Sequence, residues 1–326
     1  MKVQAVTKEL LKERQALSLD DKIALSKERI KEWYEHFEGK VYVAFSGGKD
    51  SSVLLHLVRS MYPEVPAVFC DTGLEWPEVK KIIKETENVK ILKPEMNFRT
   101  IINTYGWVFP SKDVAHTLQY AQQGKEWAIN RMNGRKSNGD YDKYKDSVFK
   151  RWKYLIDAPF KISDKCCVIM KERPAQKFQK ETGLQPMLAL MADEGARRRM
   201  MYLHSGCNSF DQWHPASRPI MFWTEQDVLK YVVRHNLKIP SVYGDIIDIR
   251  GELMTTKERR TGCMFCLIGT QFEAVNKFCR MKESHPQIYK YCIEVLGIGE
   301  ILKWLGYPLE SGGCSTCTEG CIKCGG

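Results

Sequence analysis

Apolar positions along the chain follow two different periods. Over residues 1–38, Leu10, Leu11, Leu17, Ile23, Leu25, Ile30 and Trp33 recur near helical spacing, which predicts one or two amphipathic helices. The period then changes. Lys40-Val41-Tyr42-Val43-Ala44-Phe45 is a short β-branched and aromatic run, followed by a glycine turn and an apolar helix through Val53–Val58. A second unit repeats this order: strand Val65–Cys70, turn Asp71-Thr72-Gly73, a helix from Glu75 to about Glu87, then strand Val89–Leu92. Farther on, a helix from Met170 to about Thr182 precedes a buried strand, Pro186–Met191. Thr224, with Asp227 in the capping-box position, opens a helix from Glu225 to about Asn236. Strands alternating with helices at this spacing predict an α/β fold, a parallel sheet with helices on both faces.

Residues 106–165 break the rhythm. They hold one predicted helix (Ala115–Asn130), a polar Gly/Asn/Lys stretch (133–142) and a basic aromatic segment around Phe149–Tyr154. This reads as an insertion over the active edge of the sheet. After Tyr243 the sequence turns irregular, carries Cys263 and Cys266, and then predicts helices near Gln271–Arg280 and Gln287–Trp304. The organisation expected is an N-terminal helical segment (1–38), an α/β domain (39–250) containing the insertion, a helical C-terminal region (251–310) and a cysteine-rich tail (311–326). The tail should order only when its cysteines hold something.

Composition changes this picture in two respects. The 326 residues carry 50 Lys/Arg against 40 Asp/Glu, a formal net charge of +10, which fits either a polyanionic partner or a soluble basic surface. Twelve cysteines are many for a reducing compartment, where clusters of thiols hold metals or do redox chemistry more often than they form disulfides. No apolar run approaches the ~20 residues that a membrane span needs. The charged N-terminus lacks the apolar core of a secretory signal, so a cytoplasmic protein is expected.

The candidate chemistry begins at the first glycine turn, Ser46-Gly47-Gly48-Lys49-Asp50-Ser51. Two glycines let the backbone bend sharply and approach an anion without a Cβ in the way. The helix that follows offers free N–H groups and the positive end of its dipole. Ser46 and Ser51 add hydroxyls and Lys49 a charge, while Asp50 suits a helix-cap or Mg²⁺-linked role. The turn is neither a Walker A loop, which needs Gly-Lys-Ser/Thr, nor the GxGxxG dinucleotide fingerprint.

The turn does match the SGGxDS signature of the PP-loop ATP pyrophosphatases, and further segments resemble the phosphoadenosine-phosphosulfate (PAPS) reductase family of adenine nucleotide α-hydrolase enzymes. Phe69-Cys70-Asp71-Thr72-Gly73 with Trp76-Pro77-Glu78 looks like that family's second-strand motif. Cys166-Cys167 with Lys171 and Pro174 resembles the double-cysteine motif of its iron–sulfur members, and Arg197-Arg198-Arg199 its basic substrate loop. Arg218-Pro219-Ile220, Trp223 to Val228, Ile239-Pro240 with Val242-Tyr243, and Cys263-x-x-Cys266 follow in the family's order, so the resemblance covers roughly residues 40–270. It implies an adenine nucleotide held by residues 46–51, Asp71 and Arg197, with Lys49, Asp50 and Arg198 as catalytic groups. Two departures stand out. The full SGGKDS is kept, as in ATP-consuming relatives, and the Glu-Cys-Gly-Leu-His segment that carries the reductases' catalytic cysteine is missing.

Cys166, Cys167, Cys263 and Cys266 supply four thiols, the usual complement of a 4Fe-4S iron–sulfur cluster. Zinc, or two unrelated thiol pairs, are the alternatives. Cys314, Cys317, Cys321 and Cys324 form a second constellation, suited to a metal or to redox pairs. Cys70, Cys207, Cys279 and Cys292 read as core thiols, with Cys207 the exception worth testing; His204, His214 and His235 read as surface or core groups. Trp127, Phe149, Trp152 and Tyr154, interleaved with Arg131, Arg135, Lys136, Lys150, Arg151 and Lys153, fit single-stranded nucleic acid or an anchor of the insertion equally.

The function expected is substrate adenylation by ATP with pyrophosphate release, followed by sulfur transfer, with nucleic acid as the candidate acceptor. A cysteine desulfurase or thioredoxin-like protein is the candidate sulfur donor. The alternatives are a reductase of adenylyl or phosphoadenylyl sulfate, and a non-catalytic nucleotide-binding subunit of a sulfur-modification system.

Overall fold

The structure is a computed structural model, and residues 6–210, 214–273, 277–307 and 309 are described. The chain divides into two compact units. One contains the chain up to Glu95 and Ile169–Met264; the other contains Met96–Val168 and the described residues from Phe265 on. The N-terminal helices therefore belong with the sheet, and the insertion groups with the C-terminal helices instead of with the domain that it interrupts.

The first unit is built on a six-stranded sheet. Its strands are β1 (Val41–Ala44), β2 (Ala67–Cys70), β3 (Val89–Leu92), β4 (Gln185–Leu188), β5 (Asn208–Ser209) and β6 (Ala216–Ser217), in the order β3-β2-β1-β4-β6-β5. All neighbours are parallel except β5, which runs antiparallel to β6 on the edge. Val41, Tyr42 and Val43 are all buried, as a central parallel strand covered on both faces requires. The β-branched and aromatic run expected as a strand is thus the sheet's middle. From β1 the chain winds outward to β2 and β3, then returns to the other side of β1 as β4. The order therefore reverses between β1 and β4, and such a switch point opens a crevice at the carboxyl ends of the strands.

Five helices of this unit follow from local sequence signals. α1 (Lys8–Ala16) and α2 (Leu19–His36) are capped by Thr7 and Ser18, whose side chains accept from Leu10 N and Asp21 N. Ile30 and Trp33 of α2 are fully buried. α3 (Lys49–Arg59) follows the glycine turn, and α4 (Pro77–Glu85) begins on a proline whose missing N–H costs nothing at that position. The capping box at Thr224 forms as expected: Thr224 N and Oγ1 donate to Asp227 Oδ2 at 2.7 and 2.8 Å. The same oxygen receives Lys22 Nζ at 2.7 Å, so a buried ion pair ties α2 to the helix Glu225–Arg234.

Several elements differ from the sequence expectation. The region after Tyr243 is no irregular stretch: it contains a two-stranded hairpin, β7 (Ile246–Ile249) and β8 (Glu252–Thr255), turning through Arg250 and Gly251, both at positive φ. Periodicity missed it because both its faces are largely exposed. In the second unit the expected helix Ala115–Asn130 is two, Lys112–Ala121 and Glu126–Met132, interrupted where Gly124 takes φ +75°. The helices expected over 271–304 are Lys277–Ser284, Pro286–Lys290, a π turn Tyr291–Val295 and Ile298–Trp304, with Gly297 at φ +76° breaking the last pair. A further helix, Phe98–Tyr105, capped by Asn97, escaped the reading. The helix expected from Met170 is a π turn, Val168–Glu172, before an α-helix Arg173–Thr182.

Candidate active site

The turn after β1 is held in shape by its own side chains. Gly47 sits at φ +73°, and a Cβ there would lie 2.9 Å from both Val79 and Ile83. Ser51 Oγ donates to the Gly48 carbonyl at 2.9 Å, accepts from Ser46 N at 3.2 Å, and lies 3.0 Å from Ser46 Oγ. Gly48 is the N-cap of α3 with no side-chain cap, which leaves the first amides of the helix pointing out of the turn.

What meets those amides is a segment far away in sequence. Lys49 N donates to the Tyr243 hydroxyl at 3.1 Å, and that hydroxyl is 2.9 Å from Thr261 Oγ1. A Cβ on Gly48 would come within 2.7 Å of Thr261 Oγ1 and 3.0 Å of the Tyr243 hydroxyl. Lys49 itself is almost wholly buried: Nζ donates to the Arg259 carbonyl at 3.3 Å and lies 3.3 Å from Asp50 Oδ1 and 3.6 Å from Glu225 Oε1. Burial opposes its charge, but Asp50, Tyr243 and Glu225 outweigh burial and hold the ammonium above the usual lysine range. Glu225 shows the converse balance. Burial would raise its pKa, yet Lys49 and Arg259, whose Nη2 is 2.8 Å from Glu225 Oε2, hold it below the ordinary carboxylate value. Burial also lifts the Tyr243 phenol above its usual range, so it stays a neutral hydrogen-bonding group. The Oδ1 atom of Asp50 is buried and accepts no hydrogen bond among the described residues.

The turn after β2 presents the opposite chemistry. Asp71 Oδ1 accepts from Gly73 N at 3.1 Å and lies 3.3 Å from Lys80 Nζ. Thr72 Oγ1 donates to Glu75 Oε1 at 2.5 Å, whereas Glu75 Oε2 is buried with no hydrogen-bond partner among the described residues. Backbone from the Cys263 segment closes on this turn, Met264 N donating to the Leu74 carbonyl at 2.8 Å.

The three arginines lie in the first turn of a helix, Ala196–Ser205, not in a loop. Arg197 and Arg199 are exposed, and Arg198 Nε is 3.8 Å from Glu194 Oε2. Arg218, directly after β6, is more tightly placed. Burial and then the nearby charge of Arg198 lower its pKa, and its Nε and Nη1 are buried without hydrogen-bond partners among the described residues. A buried guanidinium with unmet donors suits an anion.

The described cysteines fall into core thiols and the two candidate ligand pairs. Cys207 is buried and its thiol is pushed up to about 12 by burial, so it is a protonated core group at neutral pH. Cys70, its thiol raised by burial, donates to the Lys171 carbonyl at 3.7 Å. Cys166 and Cys167 lie in the short helix Lys165–Cys167 of the second unit, Cys263 near the end of the first, and Cys266 just inside the second, where its Sγ accepts from Ile268 N. Among the described residues no three His, Cys, Asp or Glu side chains gather as a metal site. The four thiols are donors of the type an iron–sulfur cluster takes. Cys314, Cys317, Cys321 and Cys324 lie outside the described residues. No described helix is long and apolar enough to cross a membrane.

Sequence reasoning had named Glu225 and Tyr243 only as letters of a motif and had passed over Arg259 and Thr261. No local signal places these residues on the turn after β1, since the pairing spans about two hundred positions.

Comparison with known proteins adds the following. The phosphoadenosine phosphosulfate reductase domain matches residues 40–319. An uncharacterized protein of Methanocaldococcus jannaschii is 39% identical over 89 residues, 26% of this chain and 18% of that protein. A second one is 25% identical over 275 residues, 82% of this chain and 51% of its own length. The chain thus spans about a fifth and about half of these two relatives. Phosphoadenosine 5'-phosphosulfate reductase of Cronobacter sakazakii is 25% identical over 264 residues, 80% of this chain and 88% of the relative. Among solved structures, PAPS reductase from Candida auris aligns at 13% identity and TM-score 0.40, covering 76% of this chain and 98% of that one. The U34-tRNA thiolase NcsA from Methanococcus maripaludis, solved with its 4Fe-4S cluster, aligns at 15% and TM-score 0.37, covering 94% and 88%. Both scores lie below 0.5, too low for either likeness to bear on function.

Proposed function

The chain belongs to the family of the phosphoadenosine phosphosulfate reductase domain, and from that premise we propose that it is an ATP-consuming enzyme of sulfur transfer. The carrying observation is the turn after β1: outward-facing amides and a buried, fully charged lysine at the sheet's switch point. Such a turn suits the phosphate chain of ATP, with Ser46, Gly47, Gly48, Lys49 and Ser51 as its ligands. Asp50, whose buried Oδ1 has the Lys49 ammonium beside it at 3.3 Å, is the carboxylate assigned to Mg²⁺. Asp71 and the free oxygen of Glu75 are acceptors for ribose or adenine donors, and Arg197, Arg198 and Arg218 neutralise charge on the reacting group.

In the reaction a hydroxyl or carbonyl oxygen of the acceptor attacks the α-phosphorus. The bond from that phosphorus to the β-phosphate oxygen breaks, pyrophosphate leaves, and an adenylated acceptor remains. The terminal sulfur of a partner's cysteine persulfide, such as a cysteine desulfurase forms, then attacks the adenylated atom and displaces AMP. A second thiol, from the partner or a thioredoxin-like protein, cleaves the remaining S–S bond and is oxidised to a disulfide as the thiolated acceptor leaves. A 4Fe-4S cluster on Cys166, Cys167, Cys263 and Cys266 is part of this reading on the strength of the thiol donor set, and no step is drawn through it. Zinc is its rival, and Cys314, Cys317, Cys321 and Cys324 are candidates for a second metal or a redox relay. Iron and zinc analysis of anaerobically prepared protein separates these: about four irons support the cluster, stoichiometric zinc excludes it.

The family match favours one second reading, reduction of phosphoadenylyl or adenylyl sulfate to sulfite. Retention of the whole SGGKDS turn argues for ATP. Radiolabelled ATP and radiolabelled sulfonucleotide, each given to the wild type and to Lys49→Met, decide the matter. Pyrophosphate release that the variant loses supports adenylation; sulfite release with ATP untouched overturns it.

A further inference from the structure

The second unit contains a basic aromatic surface that the nucleotide site does not use. It is built on the 3-10 helix Lys150–Asp157. A 3-10 helix has three residues per turn, so residues three apart lie one above the other. Trp152 and Leu155 accordingly share one edge and are both buried, as is Phe149. Arg151 and Tyr154 share a second edge, Lys150 and Lys153 a third, and all four are exposed. The aromatic set read from the sequence therefore splits: Phe149 and Trp152 anchor the insertion, while Tyr154 remains 48% exposed.

The C-terminal helix Ile298–Trp304 completes the surface. Trp304 stacks on Tyr154 with ring centroids 5.9 Å apart and an interplanar angle of 23°, and meets Phe160 edge-on at 5.4 Å. It still exposes 41% of its surface. Beside it lies a cavity of about 410 Å³, walled by Pro159, Phe160, Ile301 and Trp304, with Lys303 and Glu300 at its edge. Lys150 is 3.1 Å from Asp146, and Arg151 lies over the Trp152 ring at 5.0 Å. Arg151, Lys153 and Lys303 form no ion pair among the described residues.

We propose that this face of the second unit binds single-stranded nucleic acid, with bases on Tyr154 and Trp304 and phosphates on Arg151, Lys153 and Lys303. Exposed rings beside unpaired cations suit a polyanion whose repeating units have flat π-faces. An acidic peptide would satisfy the cations and leave the stacked rings unused. Duplex would hide the base faces that the rings require. The inference deepens the proposed function by naming the acceptor's class. It rests on that reading for the reaction, while the binding itself is measured without ATP.

The test is fluorescence anisotropy of labelled 20-nucleotide oligo(dT) and oligo(U) with the full chain. Binding of either or both supports the proposal, and their ratio tells DNA from RNA. Trp304→Ala is expected to weaken binding about tenfold, one stacked base lost. Arg151→Glu with Lys153→Glu, two exposed positions that leave thermal unfolding unchanged, is expected to weaken it further. The same pair lowers the slope of log Kd against log salt by about 1.4, the share of two phosphate contacts. Wild-type affinity in the charge-reversed variant, tighter binding of duplex, or equal displacement by polyglutamate overturns the proposal. Pyrophosphate release from ATP by the same preparation is scored separately: its absence with oligonucleotide binding intact sinks the adenylation reading alone.

Discussion

The turns after β1 and β2 begin alike and finish differently. Each leaves the carboxyl end of a parallel strand, bends through a glycine at positive φ and enters a helix. The first is closed from outside, with Tyr243 and Thr261 pressed against Gly48, and it is rich in donors: helix amides, two hydroxyls and the buried Lys49 ammonium, with the Asp50 carboxylate beside them. The second is open around Gly73, where an added Cβ would meet nothing within 4 Å, and what it presents accepts: Asp71 and the free oxygen of Glu75. A sheet edge with donors on one strand end and acceptors on the next has a direction. On the proposed function the phosphate chain goes to the first and the sugar or base donors to the second, so the polarity of a bound nucleotide is set before it arrives.

The largest expected break of that contrast is Gly48→Ala. Its Cβ would come too close to Thr261 and Tyr243, and overpacking of this kind costs about 1–3 kcal/mol of folding stability in urea unfolding. The displacement of the turn that relieves the clash is expected to weaken ATP binding by about tenfold or more in titration calorimetry. Unchanged affinity would mean that the phosphate does not approach this turn. Next comes Glu225→Gln, expected to lower stability by about 1–2 kcal/mol at neutral pH through loss of a charged hydrogen bond. The sign follows from the depressed carboxyl: its stabilisation is complete above the unfolded value of about 4.3 and fades as pH falls through the lower folded value. Urea unfolding of wild type should therefore weaken below about pH 4.3 by an increment that the Gln variant lacks. Lys49 acts at the other end, its raised pKa giving stability below about 10.4 that disappears at higher pH. Smaller again is Gly73→Ala. Only the left-handed backbone resists it, about 1 kcal/mol in urea unfolding, and ATP affinity should stay within twofold. A large loss of affinity there would show the two turns to be one crowded site.

Most of the sheet was legible because its cause is local. A β-branched run, a glycine turn and an amphipathic helix each announce themselves within ten residues, and β1, β2, β3 and α3 fall where the pattern puts them. The hairpin β7–β8 and the two-residue strands β5 and β6 were not legible, being too short or too exposed to leave a period. The site divides the same way. Ser46 to Ser51 is a contiguous motif, whereas the closure by Tyr243, Glu225, Arg259 and Thr261 depends on tertiary pairing that spacing does not encode. Arg198 illustrates the limit from the other side: three consecutive arginines look like a substrate loop, yet a helix turns them apart and Glu194 takes one. The buried guanidinium with unmet donors is Arg218, which the sequence offered only as the first letter of the Arg218-Pro219-Ile220 motif.

The finest test concerns the phenol that now occupies the Lys49 amide. Tyr243→Phe removes that acceptor, leaves Lys49 N–H without its 3.1 Å partner, and should lower stability by about 1 kcal/mol without nucleotide. A phosphate oxygen taking the same amide would make the phenol redundant. In saturating ATP the gap in melting temperature between variant and wild type should then close, because the ligand restores the bond that the mutation deleted. A gap that stays constant at every ATP concentration would place the phosphates elsewhere, and the donor turn would have to be read as a structural joint between α3 and the Tyr243 segment.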